Sequence, residues 1–296
     1  MAEKRGSFLS RLIKGLIIFV LVLVLIATAG YLFVRFYYGV DLITVGGQIK
    51  KLATPVDESK FTNRFAVEDK LSLQAEINSQ FSIGEYIIGN ETDGFRTHTE
   101  ADGELVPNFI DPTMELSDKE CGALIDIFMA NAENKAALKL GDVEVPFSII
   151  QVTFTDVEDA ENATDFNIVI KLDLRQFKEK KFSGFPLKYF GRMIPDDVYL
   201  SSTVTVTKNT EEAFAYSISN GRVSINALDE KETQDLFNSI KKIVNFTSSD
   251  ELAKSFATPF VNALIGKENS LASGMGCLDY HFETVGEVVK LVMVTL

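Results

Sequence analysis

The chain has 296 residues, 46% of them hydrophobic, with 29 basic and 42 acidic side chains and a formal net charge of −13. Residues 41–296 hold 24 of the bases and 41 of the acids; that excess repels phosphate backbones and argues against nucleic-acid binding. With only two cysteines, no disulfide framework can replace a core, and a chain of this length can bury a large one in one or two domains.

Residues 15–34 read GLIIFVLVLVLIATAGYLFV, twenty positions without a charge. As a helix at ~1.5 Å per residue this run spans ~30 Å, the hydrocarbon thickness of a bilayer. Lys4, Arg5, Arg11 and Lys14 precede it, offset only by Glu3. After it come Arg35 at the boundary, Asp41, and no further base until Lys50 and Lys51. Basic flanks stay in the cytoplasm, and interfacial aromatics such as Tyr31, Phe36, Tyr37 and Tyr38 suit the outer boundary. The expectation is a cytoplasmic basic tail over 1–14, a single-pass cell-membrane anchor over 15–38, and everything beyond it extracytoplasmic. Ala27-Thr28-Ala29 offers signal peptidase a competing cleavage site after Ala29. The apolar run continues through Tyr31-Leu32-Phe33-Val34, which favours retention. No cysteine precedes Cys121, so no thiol is available there for a lipid anchor.

Residues 39–60 read as a juxtamembrane linker, with Gly46-Gly47 and Pro55 as breakers, leaving 61–296 as one extracytoplasmic domain. Leu71, Leu73, Ala75 and Ile77 alternate with polar residues, a half-buried strand pattern. Glu91-Thr92-Asp93-Gly94 reads as a turn. Ser117-Asp118-Lys119-Glu120 is a capping box, and Cys121, Leu124, Ile125, Phe128 and Met129 follow at helical spacing. Gly141-Asp142 ends that helix. Ile150, Val152 and Phe154 alternate as a strand, the acidic stretch Asp156–Asp165 turns the chain, and Phe166, Ile168, Ile170, Leu172 and Leu174 share the returning strand's face. After an apolar helix or loop through Phe185–Phe190, Val198, Leu200, Val204 and Val206 oppose Tyr199, Thr203 and Thr205 across another strand. Phe214, Tyr216 and Ile218 continue in the next, and Asn220-Gly221 reads as a tight turn. Asp229–Glu232 is a second capping box, leading into Leu236, Phe237, Ile240, Ile243 and Val244. A further helix runs from near Ser249 to Gly266, with Pro259 inside it. Leu278, Tyr280 and Phe282 alternate, and Val288–Val294 is a buried strand too short to span a membrane. This layout predicts an α+β fold: a long, twisted antiparallel sheet with two or three amphipathic helices packed on it.

Between Leu116 and Phe246 the order of elements resembles the uncharacterised single-pass membrane proteins of Gram-positive bacteria called YpmS-like. The residues that carry the resemblance are LSDKECGALIDIFM, the hairpin ending in IVIKLDLRQF, and FPLKYFGRMIPDDVYLSSTVTV. Such proteins look distantly similar to tubular lipid-binding domains, in which a curled sheet wraps a helix around an apolar groove. The resemblance implies a bacterial envelope protein that binds a lipid.

Groups for catalysis are sparse. The histidines are His98 and His281. Asp279, His281 and Glu283 share a strand face, a set able to ligate a metal, but ordinary polar alternation opposite Leu278, Tyr280 and Phe282 accounts for them equally. The acidic stretch Asp156–Asp165 lacks the spacing and turn glycine of a helix-loop-helix calcium loop. Neither a nucleophile elbow nor a phosphate loop is present: no Gly-Lys-Ser/Thr follows Ser273-Gly274-Met275-Gly276. Cys121 and Cys277 read as core-facing residues on separate elements, and their pairing is open from sequence. The residues thus call for no catalytic group, metal or cofactor.

The expected function is non-enzymatic: a lipid or other apolar ligand held in a sheet-lined groove. Its lining would be Ile168, Ile170, Leu172, Val204, Val206, Phe214 and Tyr216, with Phe185, Tyr189 and Phe190 from the aromatic segment around Gly184 and Pro186. The alternative is an envelope scaffold that binds other envelope proteins without a small-molecule ligand. The implied partners are the membrane, a lipid, and other envelope proteins.

Overall fold

The computed structural model describes residues 47–66, 69, 72–73, 86–88, 95–97, 112–130, 139–140, 143–181, 195–240, 248–267 and 270–295, apart from positions 49, 159, 161 and 287. In chain order the strands are β1 (Tyr86–Ile88), β2 (Phe95–Thr97), β3 (Thr113–Ser117), β4 (Lys139–Leu140), β5 (Val143–Glu144), β6 (Phe147–Asp156), β7 (Ala163–Asp173), β8 (Asp197–Lys208), β9 (Tyr216–Ile225), β10 (Asp279–Val285) and β11 (Val288–Val294). Among the described residues the α-helices with defined bounds are α1 (Asp118–Ala130), α2 (Arg175–Lys181), α3 (Glu230–Ile240), α4 (Ser249–Ile265) and α5 (Leu271–Met275); residues 50–52 and 72–73 are helical as well. The fold is α+β. Its main sheet is the antiparallel meander β6-β7-β8-β9, beside a second antiparallel sheet β10-β11-β3 and two two-stranded hairpins.

The meander follows from period-2 alternation. Phe166 pairs with Val204, Ile170 with Leu200 and Leu172 with Val198, so one face of β7 and β8 is mostly apolar, interrupted by the buried Thr164 and Ser202. That inner face is covered by α4, whose Leu252, Phe256, Phe260 and Leu264 are buried, and by α1, which buries Cys121, Leu124 and Ile125. Leu116, Tyr280, Leu291 and Met293 from the second sheet complete the same core cluster.

Both expected capping boxes form. Glu120 N–H donates to Ser117 Oγ (3.3 Å), and Ser117 N–H donates to the Glu120 carboxylate (2.7 Å). Glu232 N–H donates to Asp229 Oδ1 (2.7 Å), with the reciprocal bond at 3.3 Å. Ser117→Ala removes one orphan-donor partner at the start of α1 and is expected to cost about 1 kcal/mol in urea unfolding. An unchanged midpoint would show that Glu120 alone caps the helix. Ser248 and Gly266 cap α4, which carries Pro259 internally.

Several expectations are corrected. Asn220-Gly221 makes no hairpin turn: β9 runs through it, and the register against β8 shifts between Thr203 and Thr205. Asn220 takes the left-handed conformation (φ 49°), which asparagine tolerates within a bulge. A second bulge between Ile149 and Gln151 puts Ile149, Val152 and Phe154 in the core and turns Ile150 to the outer face, where it meets Val169 and Tyr199. Leu73, expected in a strand, is helical and buried. Phe214 precedes β9 in a loop, at φ 59°. Leu278 precedes β10 and is 59% exposed, so only Tyr280 and Phe282 of its series join the core cluster. Cys121 and Cys277 are both buried free thiols.

The described part of the segment expected as a juxtamembrane linker, residues 47–60, is docked on the domain. From Gly47 onward it is described, Leu52 belongs to the core cluster, and Val56 and Phe61 pack on the outer face of the main sheet. The segment 15–38, expected as an anchor, lies outside the described residues. Among those described, no helix is long and apolar enough to cross a membrane.

Candidate functional site

The expected groove lining occupies the inner face of the main sheet. Ile168, Ile170, Val204 and Val206 have no exposed surface and Leu172 has 2%. A side chain without exposed surface borders no space large enough for water, still less an acyl chain. At these five positions the sheet is filled by protein. Phe214 and Tyr216 are half-buried and pack against the same cluster. Phe185, Tyr189 and Phe190 lie outside the described residues.

Phe214 and Tyr216 do, however, border a polar constellation that sequence reasoning missed, at the end of the main sheet facing β10. Lys208 continues the inward series of β8, with its side chain only 7% exposed. Its Nζ pairs with Asp279 Oδ2 at 3.0 Å and donates to the Asn209 carbonyl at 3.0 Å. Nζ also lies 5.3 Å from the centroid of the Tyr280 ring, a cation–π distance. The other Asp279 oxygen accepts from the Phe214 backbone N–H (3.2 Å). Tyr216 donates its hydroxyl hydrogen to Asn262 Oδ1 on α4. The Tyr280 hydroxyl is buried and has no hydrogen-bond partner among the described residues. The legible signal was register: Lys208 falls on the same parity as Val204 and Val206, where a charge needs a partner.

This constellation suits fastening better than chemistry. Burial pushes the Tyr216 phenol up to about 12. Burial raises Tyr280 as well, followed by the neighbouring Tyr216 and Asp279. Both phenols stay protonated at neutral pH, and the lysine is neutralised by its aspartate. A general base works best with a pKa near the operating pH, and burial moves both phenols away from it. The cluster's effect is to tie the second sheet to the main one through an ion pair between a buried lysine and a partly exposed aspartate.

A second polar cluster sits on the outer face. Glu58, on the docked N-terminal segment, accepts hydrogen bonds from the Tyr199 hydroxyl and from Lys171 Nζ (3.2 Å), and pairs with Arg64 at 2.8 Å. Lys171 also pairs with Asp197 Oδ2 at 3.2 Å, and Phe61 stacks on Tyr199 with ring centroids 5.7 Å apart. The Glu58 carboxyl is held below its ordinary value of 4.5, first by the Tyr199 hydrogen bond, against partial burial, and then by Lys171 and Arg64. A carboxyl whose folded pKa is depressed stabilises above its unfolded value, and that contribution fades as pH falls through the folded value. Protection across 50–66, measured relative to the intrinsic exchange rate at each pH, is therefore expected to fall as pH drops below about 4.5, while β7 and β8 keep theirs. Simultaneous loss of protection in the segment and the sheet would contradict this.

Among the described residues no group of three or more His, Cys, Asp or Glu side chains is placed to hold a metal ion. Within the Asp279, His281 and Glu283 series, Asp279 is committed to Lys208. From the acidic stretch, Asp165 binds Thr205 and Arg222, and Asp156 accepts from Thr284. The Cys121 thiol is pushed well up by burial and by Glu120 and Asp118, and burial takes Cys277 up to about 12, so neither thiol is poised as a nucleophile. Compared with protein-family models, curated proteins and solved structures, the chain matches none.

Proposed function

We propose that this chain is a non-enzymatic, membrane-anchored envelope protein whose extracytoplasmic α+β domain serves as a scaffold for other envelope proteins. The anchor is the segment 15–38, built on the apolar run at 15–34, with its basic flank in the cytoplasm. The observation that carries the scaffold reading over the lipid reading is the filled inner face: Ile168, Ile170, Val204 and Val206 are wholly buried in one core cluster with α4 and α1. A lipid held there would have to displace α4. The acidity of residues 41–296 further suits a soluble domain that engages basic protein surfaces.

The test is native mass spectrometry of residues 41–296 recovered from a bacterial envelope without detergent, paired with crosslinking of the full chain in intact cells. A mass free of ligand, unchanged by lipid vesicles, together with a crosslinked envelope protein, supports the scaffold. A stoichiometric lipid would overturn it in favour of an apolar groove that includes Phe185, Tyr189 and Phe190.

A further inference from the structure

The segment from Gly47 to Ala66 crosses the outer face of the main sheet near the Tyr199 end of its strands. It enters beside α3, where Gln48 Nε2 donates to the Glu232 carbonyl (3.2 Å), Lys51 pairs with the Glu232 carboxylate, and Asn226 donates to the Leu52 carbonyl. It then passes over β8 and β7, with Phe61 on Tyr199 and Glu58 bound to Lys171. On β6, Asn63 Nδ2 donates to the Val152 carbonyl (2.6 Å) and Arg64 bridges to Gln151. Phe65 finally reaches α1: a Cβ on Gly122 would stand 3.2 Å from its ring. The segment is a strap fixed at several successive points.

Its entry lies at one end of the long strands. Asn226 bonds both Leu52 and the Tyr199 N–H, which marks the Tyr199 end of β8. The β10–β11 hairpin lies at the other end: Thr284 bonds Asp156, which closes the β6–β7 hairpin beside Ala163 and its partner Thr207. Tyr199 and Thr207 stand eight positions apart along β8, a distance of ~26 Å. Between Tyr38, the last residue of the expected anchor, and Gly47 lie eight residues, which reach at most ~30 Å when fully extended.

We infer that the strap fixes the leash's point of departure at the α3 end of the domain, so that this end lies on average nearer the bilayer that carries the anchor and the β10–β11 hairpin lies on average farther from it. The inference rests on the anchor reading of 15–38 but not on what the domain binds. A short leash that ended in a free linker would let the domain tumble. A leash that ends in a strap docked across the sheet transmits the anchor's position to the whole fold. The exposed Val285 and Val288 at the hairpin tip are then presented on the side away from the membrane.

The test uses the full chain in vesicles whose outer leaflet carries a headgroup energy-transfer acceptor. Single donors are placed at Glu230→Cys, exposed at the start of α3, and at Val285→Cys; Cys121 and Cys277 are 0% and 7% exposed, so the introduced thiols label selectively. Transfer from position 230 is expected to exceed that from 285 about twofold or more, reflecting the ~26 Å offset. The difference is expected to shrink in a chain that also carries Val56→Ser and Phe61→Ser. Equal transfer from both positions in the otherwise unaltered chain, or stronger transfer from 285, would overturn the inference. So would a difference that survives the strap substitutions unchanged. Release of labelled protein from the vesicles would overturn it through the anchor, and with it the membrane-anchored part of the proposed function, while leaving the protein-binding role of the domain to the crosslinking test.

Discussion

Gly221→Ala is expected to destabilise the domain by about 2–4 kcal/mol, a large effect for one methyl group. A Cβ at this position would stand 2.4 Å from the Asp250 carbonyl oxygen and 3.0 Å from the Ala253 Cβ. The first of these atoms is backbone, so no side-chain rotation relieves the overlap. Nor can α4 retreat cheaply. Asp250 Oδ1 accepts from the Gly221 N–H at 2.6 Å, and the Ser202 hydroxyl donates to the Ala253 carbonyl at 2.9 Å, a buried bond. Pushing the helix off β9 breaks both. The glycine is needed for close approach here, whereas its neighbour Asn220 takes the positive φ. Asn220→Gly is accordingly the matched control, expected to change stability by under about 1 kcal/mol, because glycine accepts that conformation freely. Urea unfolding of both variants reads the difference. Equal midpoints would mean that α4 does not press on the bulge.

Phe260→Ala is expected to cost about 3–5 kcal/mol by the same measurement, with the denaturant slope preserved. Phe260 is 1% exposed, with ring centroids 5.4 Å from Phe256 and 6.5 Å from Phe147. Removing its ring from a close-packed layer between α4 and the sheet loses both transfer energy and contacts, since the surroundings collapse only in part. The result bears on function. In a filled core the truncation is expensive and creates a dry cavity. Were the layer under α4 a slot open to an apolar ligand, the ring would already border empty space and its loss would cost about 1 kcal/mol or less. A small effect would therefore revive the lipid-groove reading that the burial of Ile168, Ile170, Val204 and Val206 argues against.

The strap illustrates why part of this architecture was illegible. Its polar composition, Gly46-Gly47 and Pro55 are ordinary linker signals, and the residues that hold it lie far away in sequence: Glu232 binds Gln48 across 184 positions, and Tyr199 binds Glu58 across 141. Nothing local marks Val56 and Phe61 as members of a small apolar cluster with Ile150, Val169 and Tyr199. That cluster exists only because a bulge in β6 turns Ile150 outward. Lys208 is the intermediate case. Its parity along β8 placed it inside, but the identity of its partner, Asp279, came only from the docking of the second sheet.

By itself the sequence determined the α+β class, the β6–β7 hairpin, the course of β8, both capping boxes and the span of α4. Each of these is written in alternation or in hydrogen bonds that close within four residues, so it survives any arrangement of the rest. Tertiary structure decided the two bulges, the strap, the Lys208–Asp279 fastening and the filling of the inner face. Those depend on how surfaces distant in sequence meet, and on whether a helix lies close enough to a sheet to leave no room between them.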